Sequence, residues 1–298
     1  MACFHPLQAW QGPKNGNGKR PLVWKKPGIS SAGLSVPCGQ CIGCRLEKSR
    51  QWALRCVHEA SLHTRNCFLT LTYDDCHYPS GGSLSLHDIQ CFFKRLRKAH
   101  GKLRFFQVGE YGDKYERPHF HVLLFGFDFE DKVPWKKTKY GTLYRSASLE
   151  ALWPYGFSTV GDLTPMSAAY VARYAIKKLT GDAAVAYGDK KPEFITMSRR
   201  PGIGAGWYDR WKSDVFPRDS VLDRGKLLKV PGFYSAKMEK ERPDLYARIK
   251  AARVRKAGLI EKRERYLGTP VDSFRRADKE KVLQSLLNSK KRSYENAN

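Results

Sequence analysis

Residues 115–126 read YERPHFHVLLFG, and the reading of this run decides the fold. From Pro118 onward it is apolar except for His119 and His121. Side chains alternate across a strand. A strand here puts His119, His121, Leu123 and Phe125 on one face and Phe120, Val122 and Leu124 on the other. Upstream, LRFFQVGE (103–110) is a second strand-like run, and the link YGDKYERP between them carries the Gly and Pro of a hairpin connection. A run with apolar residues on both faces predicts a central strand.

Pairing these runs brings Glu110, at the end of the first, opposite the start of the second and near His119. Depending on register, its carboxylate shares the histidine face. Two imidazoles and a carboxylate make a half-open site for a divalent ion, with positions left for water and a phosphate oxygen. Two hydrogen-bonded histidines at the edge of a core are the other reading of the same triplet.

Working outward, FLTLTY (68–73) is a β-rich run, and SLHDIQCFFKRLRKAH (85–100) opens with a Ser85–Asp88 capping pattern and carries Leu86, Ile89, Phe93 and Leu96 at helical spacing. YGFSTVGDL, TPMSAAYVARYAIKKL and EFITMS continue as strand, helix and strand. The order β-α-β-β-β-α-β predicts an α+β fold: a mainly antiparallel central sheet with helices on one face. We divide the chain into a Cys-rich segment and helix (1–65), this core (66–200) and a basic, largely helical C-terminal region (201–298) ending in a frayed KKRSYENAN.

In 164–179, Thr164 is an N-cap and Pro165 the first helical residue. At 100° per residue, Ala168, Ala169, Val171, Ala172, Ala175, Ile176 and Leu179 gather as a core face. Tyr170 and Tyr174 fall opposite, with Ser167, Arg173, Lys177 and Lys178. Tyrosines among cations can attack a phosphate, with Lys177 and Lys178 assisting, or can stack on bases or simply face water.

Cys38, Cys41 and Cys44 form C-x2-C-x2-C, a spacing at which thiolates wrap one soft ion. Cys3 is the first choice for a fourth ligand, with His5, Cys56 and His58 as alternatives. Structural Zn2+ is the expected occupant; an iron–sulfur cluster or incidental free thiols are the competing readings. Cys67, Cys76 and Cys91 sit in or near apolar runs as buried free thiols.

The chain has 298 residues, with 54 Lys and Arg against 29 Asp and Glu and a formal net charge of +25. Such an excess attracts polyanions, so nucleic acid is the expected partner, against a merely solvated basic surface. No apolar run reaches the ~18–20 residues of a membrane span, and MACFHPLQAW lacks the pattern of a signal peptide. A soluble, non-exported protein is expected.

FLTLTY, RPHFHVLLFG and YVARYAIKK, in that order, resemble the three motifs of the HUH endonucleases, most closely the replication initiators of small single-stranded DNA phages of the microvirus type. PCGQCIGCR and SRRPGIGAGW are similar to segments of the same initiators. The resemblance implies a ferredoxin/RRM-like core and catalytic Mg2+ or Mn2+ on His119 and His121. Glu110 would be the third ligand, at a position where family members differ. It also implies rolling-circle replication. One of Tyr170 and Tyr174 would attack single-stranded DNA at the origin, forming a 5′-phosphotyrosine and leaving a 3′-OH for a host DNA polymerase. The other would cleave the regenerated origin so that the displaced strand is resealed. Host helicase is a further implied partner, and the host bacterial cytoplasm the implied location. The competing functions are a non-catalytic zinc-containing single-strand binder, and a transposase or plasmid relaxase of the same superfamily.

Overall fold

The computed structural model describes residues 3–16, 18, 20–26, 33–112, 115–138, 141–174, 185–266 and 273–288. They fall into two units, Met1–Lys48 with Leu259–Lys291, and Ser49–Gly258. At the N-terminus, strands β1 (Leu7–Gln11), β2 (Leu22–Val23) and β3 (Leu34–Val36) form a small antiparallel sheet in the order β2-β1-β3. Helix α1 (Ile42–Ala60) follows the cysteine loop, as its pattern predicts.

The main sheet is built from β4 (Asn66–Thr72), β5 (Arg104–Tyr111), β6 (Pro118–Phe125), β7 (Val133–Thr138), β8 (Gly141–Arg145), β9 (Ser158–Asp162) and β10 (Phe194–Met197). Its order is β10-β5-β6-β4-β9-β8-β7, antiparallel throughout. Helix α2 (Leu86–His100) follows β4; α3 (Ala147–Leu152) and α4 (Pro165–Tyr174) flank β9. Ser85 Oγ accepts the Asp88 amide at 3.2 Å, and Gly101, at φ 78°, ends α2 by donating its N–H to the Arg97 carbonyl.

The α+β class and antiparallel sheet are as read from the sequence, but helices cover both faces of the sheet. Ile89, Phe92, Phe93 and Leu96 of α2 and Leu149 of α3 pack on Leu69, Leu71, Phe120, Val122 and Leu124. On the opposite face, Cys56 of α1 and Ala168, Tyr170 and Val171 of α4 pack on Phe68, Phe106, Val108, Leu123 and Phe125. The cause lies in the central strand: every residue of β6 is buried, so neither face can be left to water. Each large apolar side chain buried here contributes about 1.5–3 kcal/mol of hydrophobic free energy.

The β7–β8 hairpin and α3 were not anticipated. VPWKKT buries almost nothing, so it lacks the alternation that marks a half-buried strand. After the sheet come α5 (Ala205–Arg218), the hairpin β11 (Ser220–Asp223) and β12 (Lys226–Lys229), α6 (Gly232–Glu241), α7 (Pro243–Tyr266) and α8 (Ser273–Asn288). Tyr208, Phe216, Tyr234, Met238 and Ile249 build a third cluster around Leu54 of α1. The KKRSYENAN tail lies outside the described residues. Among the described residues, no helix is long and apolar enough to cross a membrane.

Candidate active site and metal centres

The hairpin register sets Glu110 opposite His119 and Val108 opposite His121, while β4 on the other side sets Thr72 beside His119 and Thr70 beside His121. Glu110, His119 and His121 therefore share one face, and all three are buried. Their ligand atoms lie within 4.8 Å of one another. Nε2 of each histidine is 2.9 Å from the same oxygen, Glu110 Oε1.

The far side of each ring fixes its orientation. His119 Nδ1 lies 3.0 Å from the Arg117 carbonyl oxygen, and His121 Nδ1 3.2 Å from Thr70 Oγ1. A carbonyl only accepts, so His119 Nδ1 carries a proton, and in a neutral ring Nε2 then presents its lone pair to the Glu110 carboxylate. Two electron-rich atoms at that distance call for positive charge between them, from a second ring proton or a cation. Burial alone pushes the Glu110 carboxyl up, but the facing His119 and His121 rings override it and hold it down to about 2. A buried carboxylate that stays ionised beside two imidazoles fits a divalent cation by its donor chemistry. Thr70 and Arg117 went unnoticed in the sequence. Thr70 sits inside FLTLTY, where alternation puts it on the histidine face. Arg117 donates to the Tyr73 carbonyl at 2.9 Å and to Asp75 at 2.5 Å, fixing the start of β6.

Thr164 caps α4 as expected, its Oγ1 accepting the Ser167 amide at 3.1 Å. Tyr170 requires a correction: it is 2% exposed and sits in the sheet-facing cluster, not on a polar face turned from the core. Its ring meets His121 edge-on at 5.2 Å between centroids and Phe68 at 6.3 Å, with the Arg173 guanidinium 5.8 Å from it. Helical spacing separates two faces but cannot register that the sheet face carrying the histidines is also a core face. Tyr174 ends α4; its side chain, Lys177 and Lys178 lie outside the described residues.

The cysteines come together as the spacing suggests, with Cys3 as the fourth member. Cys3 Sγ is 3.6 Å from Cys38 Sγ and 3.8 Å from Cys41 Sγ, far beyond a disulfide and close to the ~3.8 Å edge of a tetrahedron with Zn–S bonds of ~2.3 Å. Burial raises the Cys41 thiol, but the amides of Cys44 and Phe4 outweigh it and bring the thiol down to about 6. Neither Cys56 nor His58 joins the cluster: Cys56 is buried against the sheet, and His58 stacks on Trp207. His5 lies 2.6 Å from Glu280. Of the other cysteines, Cys67 is buried but Cys76 is exposed and Cys91 only half-buried.

The PGIG segment of SRRPGIGAGW is bound to α1 and β5. Glu59 accepts from Arg104 and, at 2.6 Å, from the Gly204 amide; Arg104 donates to the carbonyls of Pro201 and Gly202, and Arg55 to that of Ile203.

An antiparallel sheet presenting a Glu-His-His group beneath a tyrosine-bearing helix, in a strongly basic chain, is suited to acting on nucleic acid. A family model of replication-associated proteins of the ORF2 type matches residues 66–179, the segment that contains every one of these elements. The chain belongs to the family of phage replication-associated proteins. It is 34% identical over 261 residues to replication-associated protein VP4 of Bdellovibrio phage phiMH2K, covering 82% of this chain and 79% of that one. It is also 34% identical over 291 residues to replication-associated protein ORF2 of Spiroplasma virus 4, covering 88% and 89%. Replication-associated protein ORF4 of Chlamydia phage 1 is 39% identical over 160 residues, half of this chain and 40% of that one. No solved structure matches the chain. The resemblance read in the sequence, to phage replication initiators, stands.

Proposed function

We propose that the chain is a metal-dependent HUH endonuclease of the two-tyrosine type that nicks and rejoins single-stranded DNA at a phage origin in rolling-circle replication. The observation that carries this reading is the convergence of Glu110, His119 and His121 on one sheet face within ring contact of Tyr170. Membership among phage replication-associated proteins favours it over a transposase or relaxase.

Glu110, His119 and His121 would hold Mg2+ or Mn2+, which when bound supplies Lewis-acid neutralisation of a scissile phosphate. Thr70 and the Arg117 carbonyl keep the two rings turned toward Glu110. The basic chain draws in the DNA backbone. The hydroxyl of Tyr170 or Tyr174 gives up its proton and attacks phosphorus. An O–P bond to tyrosine forms as the bond to the 3′ oxygen breaks, and that oxygen leaves as a 3′-OH after taking up a proton. The phosphodiester's free energy stays in the new bond, so rejoining by the reverse attack needs no ATP. Lys177 and Lys178 follow on the same helical pattern and would assist the proton transfer. A host polymerase would extend the 3′ end, with a host helicase separating the strands. The four cysteines would hold a structural Zn2+.

The test is covalent capture. Wild-type protein incubated with Mn2+ and single-stranded phage origin DNA should form an adduct that survives a denaturing gel. Tyr170→Phe with Tyr174→Phe should abolish the adduct while leaving DNA binding intact. A double variant that still forms the adduct overturns the assignment of both tyrosines.

A further inference from the structure

The segment KVPWKKTKYGTLYR (132–145) holds five basic residues, three aromatics and no acid. It forms an edge of the main sheet, where, among the described residues, β7 pairs only with β8. Trp135 sits at an irregularity of this pairing, between Pro134 and Lys136, and is 45% exposed. Lys136 Nζ lies 5.8 Å and the Arg145 guanidinium 5.9 Å from its ring centroid, while Lys132 Nζ lies 5.1 Å from the Tyr144 ring. Asp128 pairs with Lys132 and Glu150 with Arg145, each at 2.6 Å, at the base of the hairpin. Lys136 and Lys137 lie exposed further along β7.

Lysines and a proline on an edge strand discourage another strand from adding there. That accounts for Pro134, Lys136 and Lys137 and weighs against a peptide partner, but it gives no reason to hold an indole in water among cations. Single-stranded nucleic acid does, since bases stack on exposed aromatic faces while cations neutralise the backbone. The hairpin is joined by a continuous ladder, β7-β8-β9-β4-β6, to the histidine strand. Four strand spacings of about 4.8 Å set it about 19 Å from that strand. DNA held there would be held at a fixed distance from Glu110, His119 and His121.

We propose that the β7–β8 hairpin is a second holding surface for single-stranded DNA, with Trp135 as a base-stacking platform and Lys136, Lys137 and Arg145 as phosphate contacts. It rests on the reading of the chain as a single-strand nuclease, but it concerns binding away from the chemistry.

The test uses the full chain and a fluorescein-labelled oligothymidine of about 20 nucleotides, longer than the ~4–16 that a single-strand fold takes up. Binding is followed by anisotropy in EDTA, so that cleavage plays no part. Trp135→Ala should weaken binding about five- to a hundredfold, with Trp135→Phe retaining most of it. Lys136→Ala and Lys137→Ala should each make the dependence of log K on log salt shallower by about 0.7, and Trp135→Ala should leave that slope unchanged. Wild-type affinity in Trp135→Ala, equal losses in Trp135→Ala and Trp135→Phe, or an unaltered slope in the lysine variants overturns the proposal. Unchanged DNA affinity is also what a protein partner at this edge would give. Absence of the tyrosine adduct alongside the Trp135 effect would sink the nuclease reading alone.

Discussion

His119 Nε2 and Glu110 Oε1 face each other at 2.9 Å, while the opposite nitrogen of the same ring is turned onto the Arg117 carbonyl at 3.0 Å. That pairing leaves the ring's free lone pair aimed at an ionised, fully buried carboxylate. The arrangement is stable only with positive charge at its centre, and from this the first prediction follows. Mn2+ should raise the thermal midpoint of the wild-type chain, with a stabilisation of about 2.7 kcal/mol when free metal exceeds Kd a hundredfold. Glu110→Gln keeps the shape but loses the charge, and its Mn2+-dependent rise should vanish in a calorimetric scan. An equal rise in the variant would show that the carboxylate does not hold the metal.

The cysteine cluster predicts a second metal of a different kind. Purified chain should carry about one equivalent of zinc, since four sulfur ligands complete a closed site. Cys38→Ser should bring the zinc measured by elemental analysis close to zero. Because binding energy at such sites is folding energy, on the order of 10–16 kcal/mol for small zinc modules, a chelator should also expose the N-terminal unit to protease. Iron in place of zinc would refute the assignment of the ion but not of the ligands.

Much of this geometry could be read in the sequence because it rests on local rules. The period-2 alternation of RPHFHVLLFG put both histidines on one face, and the short link after Glu110 set the register that brings Glu110 opposite His119. Ser85 and Thr164 marked helix starts by their capping chemistry. What escaped was set by tertiary context. Tyr170 reads as polar on a helical wheel, yet it packs between Phe68 and His121, because the face that carries the histidines is also lined with Phe68, Leu123 and Phe125. Trp135 belongs to a strand that buries too little to show any period.

Gly204 yields a third prediction, tied to the SRRPGIGAGW segment. Its φ of 79° is left-handed, and a Cβ there would lie 2.4 Å from Tyr234 Oη and 3.3 Å from the Arg55 carbonyl oxygen. Gly204→Ala should therefore cost more than the ~1–2 kcal/mol of the backbone conformation alone, with the clash at Tyr234 added. Urea titration should show a lowered midpoint, and Tyr234→Phe, which removes the clashing oxygen, should recover part of the loss in the double variant. A Gly204→Ala chain as stable as wild type would mean that the turn opens without cost.

His58 carries the pH prediction. Its ring stacks on Trp207 at 3.5 Å between centroids, its Nδ1 lies 2.9 Å from Tyr234 Oη, and burial lowers its pKa from 6.5 to about 4, against a smaller upward pull from Asp223. The unfolded chain therefore takes up this proton before the folded one does. The stability is fully present above about 6.5 and drains away as pH falls from there through about 4. The loss is on the order of 3 kcal/mol over that window, at about 1.4 kcal/mol for each tenfold change in proton affinity. Replacing the ring by an amide in His58→Gln removes the titration, so the variant should be less stable than wild type at neutral pH but show a flatter stability profile between pH 6.5 and 4. Urea midpoints measured in parallel across that range would decide it: carboxylates titrate in both chains and cancel, so identical slopes would mean that His58 is solvated in the folded state.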